Sequence, residues 1–207
     1  MMQDRVRIAI LASGSGTNAQ RLMEHFKDHA LAEVVLVGCD QPQAGVVQRA
    51  WDQNVPCLLF SGKELREGLV LEELRGMNVR LVVLAGFLRL IPVAMVREFA
   101  GRMVNIHPAL LPKHGGRGMY GAFVHQAVLN AGEDTSGITI HLVDEHYDQG
   151  EHLAQVECPV LPDDTPDSLA ARIHALEHAH FPRVVEELVM RLANDGGKEH
   201  RDSDLQG

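Results

Sequence analysis

Arg5-Val6-Arg7-Ile8-Ala9-Ile10-Leu11-Ala12-Ser13-Gly14-Ser15-Gly16-Thr17-Asn18 sets a short apolar run against a glycine-rich turn, and a helical pattern follows from Ala19 to about His29. Strand, glycine turn and helix in that order aim free backbone N–H groups and a helix dipole at an anion. The alternation continues outward from this unit. An apolar run at Val34 to Val37 precedes a helical pattern at Ala44 to Gln53, and a run at Val55 to Phe60 precedes another at Lys63 to Met77. Arg80 to Ala85 is nearly all apolar, as a strand covered on both faces should be. Pro92 opens a short helix to Phe99, and Arg102 to Ile106 is the next strand. This order predicts an α/β fold: a mostly parallel, twisted sheet with helices on both faces, right-handed crossovers and a Rossmann-like N-terminal half.

The second half is less regular. Lys113 to Gly121 is glycine-rich and expected to be a mobile loop, followed by a helix from Ala122 to Asn130. Gly137 to Val143 alternates in the strand manner, and Leu153 to Val160 is a further strand. Thr165-Pro166 reads as an N-cap with a first-turn proline, and the helix it opens turns Leu169, Ile173, Leu176, Val184, Val185 and Leu188 to the core, with a break or kink at Pro182. Residues 1–193 are expected to form one domain, and 194–207 a polar, disordered tail.

Of 207 residues, 45% are hydrophobic and 23% charged, enough for one sizeable core. The formal net charge of −9 argues against wholesale binding of a nucleic-acid backbone. No apolar run reaches membrane-spanning length and the first residues lack a signal-peptide pattern, so a cytoplasmic protein with no membrane partner is expected. Cys39, Cys57 and Cys158 lack metal-ligand spacing and read as reduced core residues.

Four groups of residues carry possible chemistry. Val104-Asn105-Ile106-His107-Pro108 ends a strand, so Asn105 and His107 share one face where prolines turn the chain into a loop. An amide can donate to an oxygen gaining charge and an imidazole can move a proton, although a capping Asn and a satisfied His are the ordinary explanation. Gly14-x-Gly16-x-x-Ala19 also fits a dinucleotide turn, with Asp40 at the position of a ribose-binding acid. Thr17 and Asn18 suit a terminal phosphate better, and a glycine turn with no ligand is a third reading. His174-x-x-Glu177-His178 matches an inverted zinc-peptidase spacing but lacks a third ligand, so solvent-facing histidines are the plainer explanation. Glu177 borders the core-facing stripe and so can look into a cleft. Asp144, Glu145 and Asp148 form an acidic turn, in which Asp148 is a candidate to accept a hydrogen bond from His107 and favour its protonated form.

Together these pieces resemble the phosphoribosylglycinamide formyltransferases, folate-dependent enzymes of purine synthesis. The likeness runs from about Arg5 to Leu192. It rests on Ser13 to Asn18, Leu84-Ala85-Gly86-Phe87-Leu88-Arg89-Leu90-Ile91, Asn105-Ile106-His107-Pro108 with Leu110-Leu111-Pro112, Asp144 to Asp148, and Glu177-His178 ahead of Pro182. The resemblance implies the formyltransferase fold and transfer of a formyl group from 10-formyltetrahydrofolate, a co-substrate, to the amine of phosphoribosylglycinamide, with no metal. It implies that Gly16, Thr17 and Asn18 bind the substrate's phosphate and that Glu177 holds the ribose hydroxyls. It assigns the folate pocket to Lys63, to Leu88, Arg89, Leu90 and Ile91, and to the loop Asp144, Glu145, His146, Tyr147 and Asp148, with Asn105 contacting folate as well. Asn105, His107 and Asp148 match its catalytic trio: the first two stabilise a tetrahedral oxyanion, His107 moves the proton, and Asp148 keeps His107 protonated.

Three departures stand out. Lys63 occupies a place where the family often has arginine, the Lys113 to Gly121 loop is longer and richer in glycine, and Cys39-Asp40 replaces Ser-Asn. Leu111-Pro112 is a candidate cis bond. The partners implied are small molecules, and the chain is expected to work as a monomer or homodimer. The nearest alternative is formyltetrahydrofolate deformylase, which gives the formyl group to water. That enzyme usually carries an N-terminal regulatory domain, whereas the first strand is expected here from residue 5, and a phosphate loop would be purposeless in it. Relatives acting on initiator tRNA or sugar nucleotides need a second domain. A catalytically silent phosphate-binding module would not need the trio.

Overall fold

The computed structural model describes residues 5–203, with the backbone alone for residues 195–203. Seven strands form one sheet in the order β3-β2-β1-β4-β5-β6-β7. The strands are β1 (Val6–Ala12), β2 (Ala32–Cys39), β3 (Cys57–Leu59), β4 (Leu81–Leu84), β5 (Met103–His107), β6 (Thr135–Leu142) and β7 (His152–Pro159). The first five pair in parallel, and β6 and β7 add to β5 as antiparallel strands. Helices α1 (Thr17–Phe26), α2 (Gly45–Asp52), α3 (Gly62–Glu67), α4 (Leu69–Gly76) and α5 (Val93–Glu98) accompany the parallel half. Helix α6 (Ala122–Asn130) links β5 to β6, and α7 (Pro166–Ser203) closes the chain.

Strand alternation sorts the core into two layers. Ile8, Ile10, Val83, Val104, Ile106, Ile138 and Ile140 turn to one face, where Leu22 and Phe26 of α1 and Ile173, Phe181, Val185 and Val189 of α7 meet them. Ala9, Leu11, Val82, Leu84 and Met103 turn to the other, against Leu65, Leu71, Leu74 and Met95 of α3 to α5 and Phe99 just after α5. Met103, Asn105 and His107 share parity, so the amide and imidazole continue the second face beyond its apolar floor. The strand order reverses between β1 and β4, and the turns after these strands open at the carboxyl edge, where open α/β sheets bind ligands.

Three local expectations change. The helix read across residues 63–77 is two helices, because Gly68 at φ 89° caps α3 and starts α4 in a conformation that would strain other residues. Pro182 does not break α7, which runs on through it; the backbone N–H that proline lacks costs one hydrogen bond, while Phe181 and Val185 on either side remain fully buried. The polar tail expected from residue 194 is helical in its backbone as far as Ser203, and residues 204–207 lie outside the described residues. The Leu111-Pro112 bond is cis, as the sequence suggested. Among the described residues no helix is long and apolar enough to cross a membrane.

Phe181 lies wholly in the first core layer, whereas Trp51 is 78% exposed. Phe181→Ala is therefore expected to lower the unfolding free energy by about 3–5 kcal/mol and Trp51→Ala by no more than about 0.5 kcal/mol, both read from denaturant midpoints.

Candidate active site

A cavity of about 850 Å³ lies along the carboxyl edge of the sheet. Its wall gathers the turn after β1, the turn after β4, the end of β5, the loop after β6 and one face of α7. Five segments far apart in sequence thus meet around one space.

At one end Gly16 caps α1 in the left-handed region at φ 77°, and a Cβ there would fall 2.5 Å from the Cβ of Val46. No side chain caps the helix, so its first-turn N–H groups are left for a ligand at the cavity edge. Ser15, Thr17 and Asn18 line this end. The Asn18 amide donates from Nδ2 to Glu177 Oε2 at 2.8 Å, leaving its buried Oδ1 without a partner. One of its two N–H groups is thus taken by Glu177, and the backbone of the turn supplies the other donors at this end. Glu177 is buried, faces the cavity, and also meets His174 Nδ1 at 3.0 Å. The hydrogen bond that His174 donates to the Glu177 carboxylate raises the pKa of the imidazole. The zinc reading of this helix finds no support: among the described residues no three His, Cys, Asp or Glu side chains are grouped to hold a metal ion. His174 is half exposed, while the Nε2 of His178 is buried and unpartnered, so only the former fits a solvent-facing histidine.

Asn105 and His107 stand at the other end. Asn105 pairs in register with His141 across β5 and β6, and its Nδ2 lies 3.2 Å from His141 Nε2. His141 Nδ1–H donates to the Leu142 carbonyl at 2.9 Å, which leaves Nε2 to accept from the amide. One N–H of Asn105 remains for another partner. His107 is buried and donates through Nε2–H to the His114 carbonyl at 2.9 Å. Its Nδ1 is 3.8 Å from Asp148 Oδ2, and Asp148 Oδ1 is 3.6 Å from His141 Nε2.

Asp148 therefore joins the trio, but not by the hydrogen bond expected of it. The Gly116 amide donates to Oδ2 at 2.8 Å and holds the carboxylate between two imidazoles, at ion-pair distance from His107. Burial alone would raise the Asp148 carboxyl, yet the His141 imidazole beside it, the Gly116 amide and the His107 imidazole hold it below the usual carboxylate range. Burial pushes His107 down; Asp148 and the His114 carbonyl oppose that shift without cancelling it. The expectation that Asp148 keeps His107 charged is corrected accordingly: in the ligand-free protein desolvation of the imidazole outweighs the attraction of the carboxylate.

The remaining expected residues divide. Leu88, Leu90 and Tyr147 are half to two-thirds exposed at the cavity mouth, with buried Ile91 behind them, and form an apolar rim. Asp144, Glu145 and His146 lie on the same rim, where Glu145 pairs with Arg97 at 2.7 Å. Arg89 lines the cavity too, tied by Nε to buried Asp40 at 2.5 Å; Asp40 thus holds a cation and is not presented to a ribose. Lys63 is not in the wall; it projects from α3 and pairs with Glu67 at 3.7 Å. The glycine-rich loop 113–121 is tethered by Lys113 to Glu133, by the His114 carbonyl to His107 and by Gly116 to Asp148.

Sequence reading passed over His141, the His114 carbonyl, the Gly116 amide and His125. The alternation of Gly137 to Val143 did put His141 on a strand, but its place opposite Asn105 depends on a register no motif announces.

Residues 6–185 match the family model described as formyl transferase. The chain is 35% identical to the phosphoribosylglycinamide formyltransferase of Bacillus subtilis, covering 93% of this chain and 98% of that one. It is 42% identical to the chloroplastic phosphoribosylglycinamide formyltransferase of Vigna unguiculata over 89% of this chain, and to the trifunctional purine biosynthetic protein adenosine-3 of Drosophila melanogaster over 91%. It spans 61% and 14% of the lengths of those two proteins. The crystal structure of glycinamide ribonucleotide transformylase 1 from Geobacillus kaustophilus superposes with a TM-score of 0.82 at 37% identity, covering 90% of this chain and all of that one.

Since the Asp148 charge raises the pKa of His107 against burial, its removal leaves burial opposed mainly by the His114 carbonyl. In Asp148→Asn the His107 imidazole is expected to titrate at lower pH than in the parent protein, itself below the ordinary value of about 6.5, as followed by histidine NMR signals.

Proposed function

The chain belongs to the phosphoribosylglycinamide formyltransferase family, and from that premise we propose that it transfers a formyl group from 10-formyltetrahydrofolate to the amine of phosphoribosylglycinamide, a step of purine synthesis. The observation that carries this reading is the shared cavity: an uncapped helix N-terminus at one end, a buried carboxylate midway, and an amide–imidazole–carboxylate group at the other. A substrate with a phosphate, a ribose and a terminal amine has that sequence of groups. Both substrates are small, and the acidic chain needs no nucleic acid or membrane; its setting is the cytoplasm.

The residues fit a reduced folate. An apolar rim of Leu88, Leu90 and Tyr147 suits a flat heterocycle, and the loop 144–148 brings backbone groups to its edge. Folate supplies the formyl carbon already joined to a nitrogen that can leave. Backbone N–H groups at Gly16 and Thr17 hold the phosphate of the ribonucleotide, and Glu177 accepts from its ribose hydroxyls. The substrate's amine then attacks the formyl carbon. The free N–H of Asn105 donates to the formyl oxygen as it gains charge. His107, protonated with Asp148 as its counter-ion, donates to the same oxygen and delivers a proton to the departing nitrogen. The new N–C bond forms, the old C–N bond breaks, and the proton lost by the amine balances the one gained by folate. Desolvation holds His107 neutral in the free protein, so the counter-charge of Asp148 counts most when negative charge develops beside the ring. In this reading Arg89 stays a folate contact, whereas Lys63 reaches only an extended tail outside the cavity.

Formyl transfer is to be assayed with the ribonucleotide present and absent. Turnover that depends on the ribonucleotide supports transfer, folate turnover without it supports the deformylase, and none supports a binding module. Asn105→Ala is expected to cost about 100- to 1,000-fold in turnover and His107→Ala about 100- to 10,000-fold, with unchanged thermal melting. Near-normal rates in either variant would remove its assigned role.

A further inference from the structure

His125 is the third residue of α6 beyond its start and sits beside Val124, which with Val128 packs into the core. The histidine is only 3% exposed, yet it contributes to the cavity wall. Its Nδ1 is sealed from solvent and bonds nothing among the described residues. A buried nitrogen without a partner is unfavourable, and a leucine or valine would serve the packing of α6 better. No group among the described residues therefore fixes a proton on Nδ1 or takes one from it.

The surroundings indicate what could. His125 shares the wall of the one cavity with Glu177 and His174, at the end assigned to the ribose, and with His107, assigned to the formyl group. Burial and the neighbouring His174 favour its neutral form. A neutral imidazole offers one donor and one acceptor. A secondary amide presents one acceptor and one donor, either of which a single ring nitrogen at the cavity can meet.

We propose that His125 contacts the substrate, its imidazole hydrogen-bonding the amide that joins the ribose to the terminal amine and so aiming that amine at the formyl carbon. This rests on the ribonucleotide reading above and adds a residue that selects for the amide-bearing linker. Ribose 5-phosphate, which keeps the phosphate and sugar but lacks the amide, separates the two ideas. Binding of each ligand is to be measured by calorimetry for the parent protein, His125→Leu and His125→Asn, with thermal melting alongside. Loss of the contact is expected to weaken ribonucleotide binding about 10- to 100-fold in His125→Leu, with partial recovery in His125→Asn, which keeps a donor and an acceptor. Ribose 5-phosphate should bind all three alike, and KM for the folate should not move. In the unmutated protein, the His125 imidazole NMR signals should shift with the ribonucleotide and stay in place with ribose 5-phosphate, a test independent of whether a variant folds. Equal effects on both ligands, or NMR signals indifferent to the ribonucleotide, overturn the His125 assignment alone. A parent protein that ignores the ribonucleotide overturns the functional reading and this assignment with it.

Discussion

The antiparallel register between β5 and β6 is the constraint on which the site depends. It sets Asn105 against His141 and His107 against Thr139, all on the face away from the buried Val104, Ile106, Ile138 and Ile140. Because strand side chains alternate, a one-residue slip of β6 would send His141 into the apolar layer and bring Ile140 to the cavity, and a slip of β5 would do the same to Asn105 and His107. The hydrophobic pattern thus enforces the position of the polar one. Gly137, where a Cβ would fall 2.1 Å from the Val156 carbonyl, secures the other edge of β6 at close approach.

On this frame the polar groups hold one another in a definite order. Asp148 is fixed by the Gly116 amide and shared by His107 and His141, while Asn105 bonds to His141 and keeps one hydrogen free. The competition at His107 is between desolvation and a carboxylate 3.8 Å away, and in the ligand-free protein desolvation wins. An imidazole that is neutral at rest and has a counter-ion in reach is suited to carry a proton only while charge develops beside it. The loop 113–121 shares in this arrangement, because the His114 carbonyl holds Nε2 of the same ring.

Much of this was legible in the chain, for identifiable reasons. The run of apolar stretches and helical patterns announced the parallel half, and Gly14 to Asn18 announced an anion-facing helix start, because backbone geometry there demands particular residues. Asn105 and His107 were readable as neighbours on one face from period alone. What escaped were relations across distance in sequence. The split at Gly68, the diversion of Asn18 to Glu177, the capture of Asp40 by Arg89 and the placing of His141 each depend on which segments become neighbours in space. The longer contact between Asp148 and His107 was missed because a backbone amide in a glycine-rich loop, invisible as a side-chain motif, takes up the carboxylate.

The most direct measurement is a crystal structure of the complex with the ribonucleotide and a folate analogue whose formyl group cannot be transferred. The substrate's amine should lie about 3–3.5 Å from the carbon that stands for the formyl group, with Asn105 and His107 directed at its oxygen and the His114 carbonyl released from the imidazole. A complex in which the two ligands occupy the cavity but that carbon sits beyond the reach of Asn105 and His107 would contradict the account.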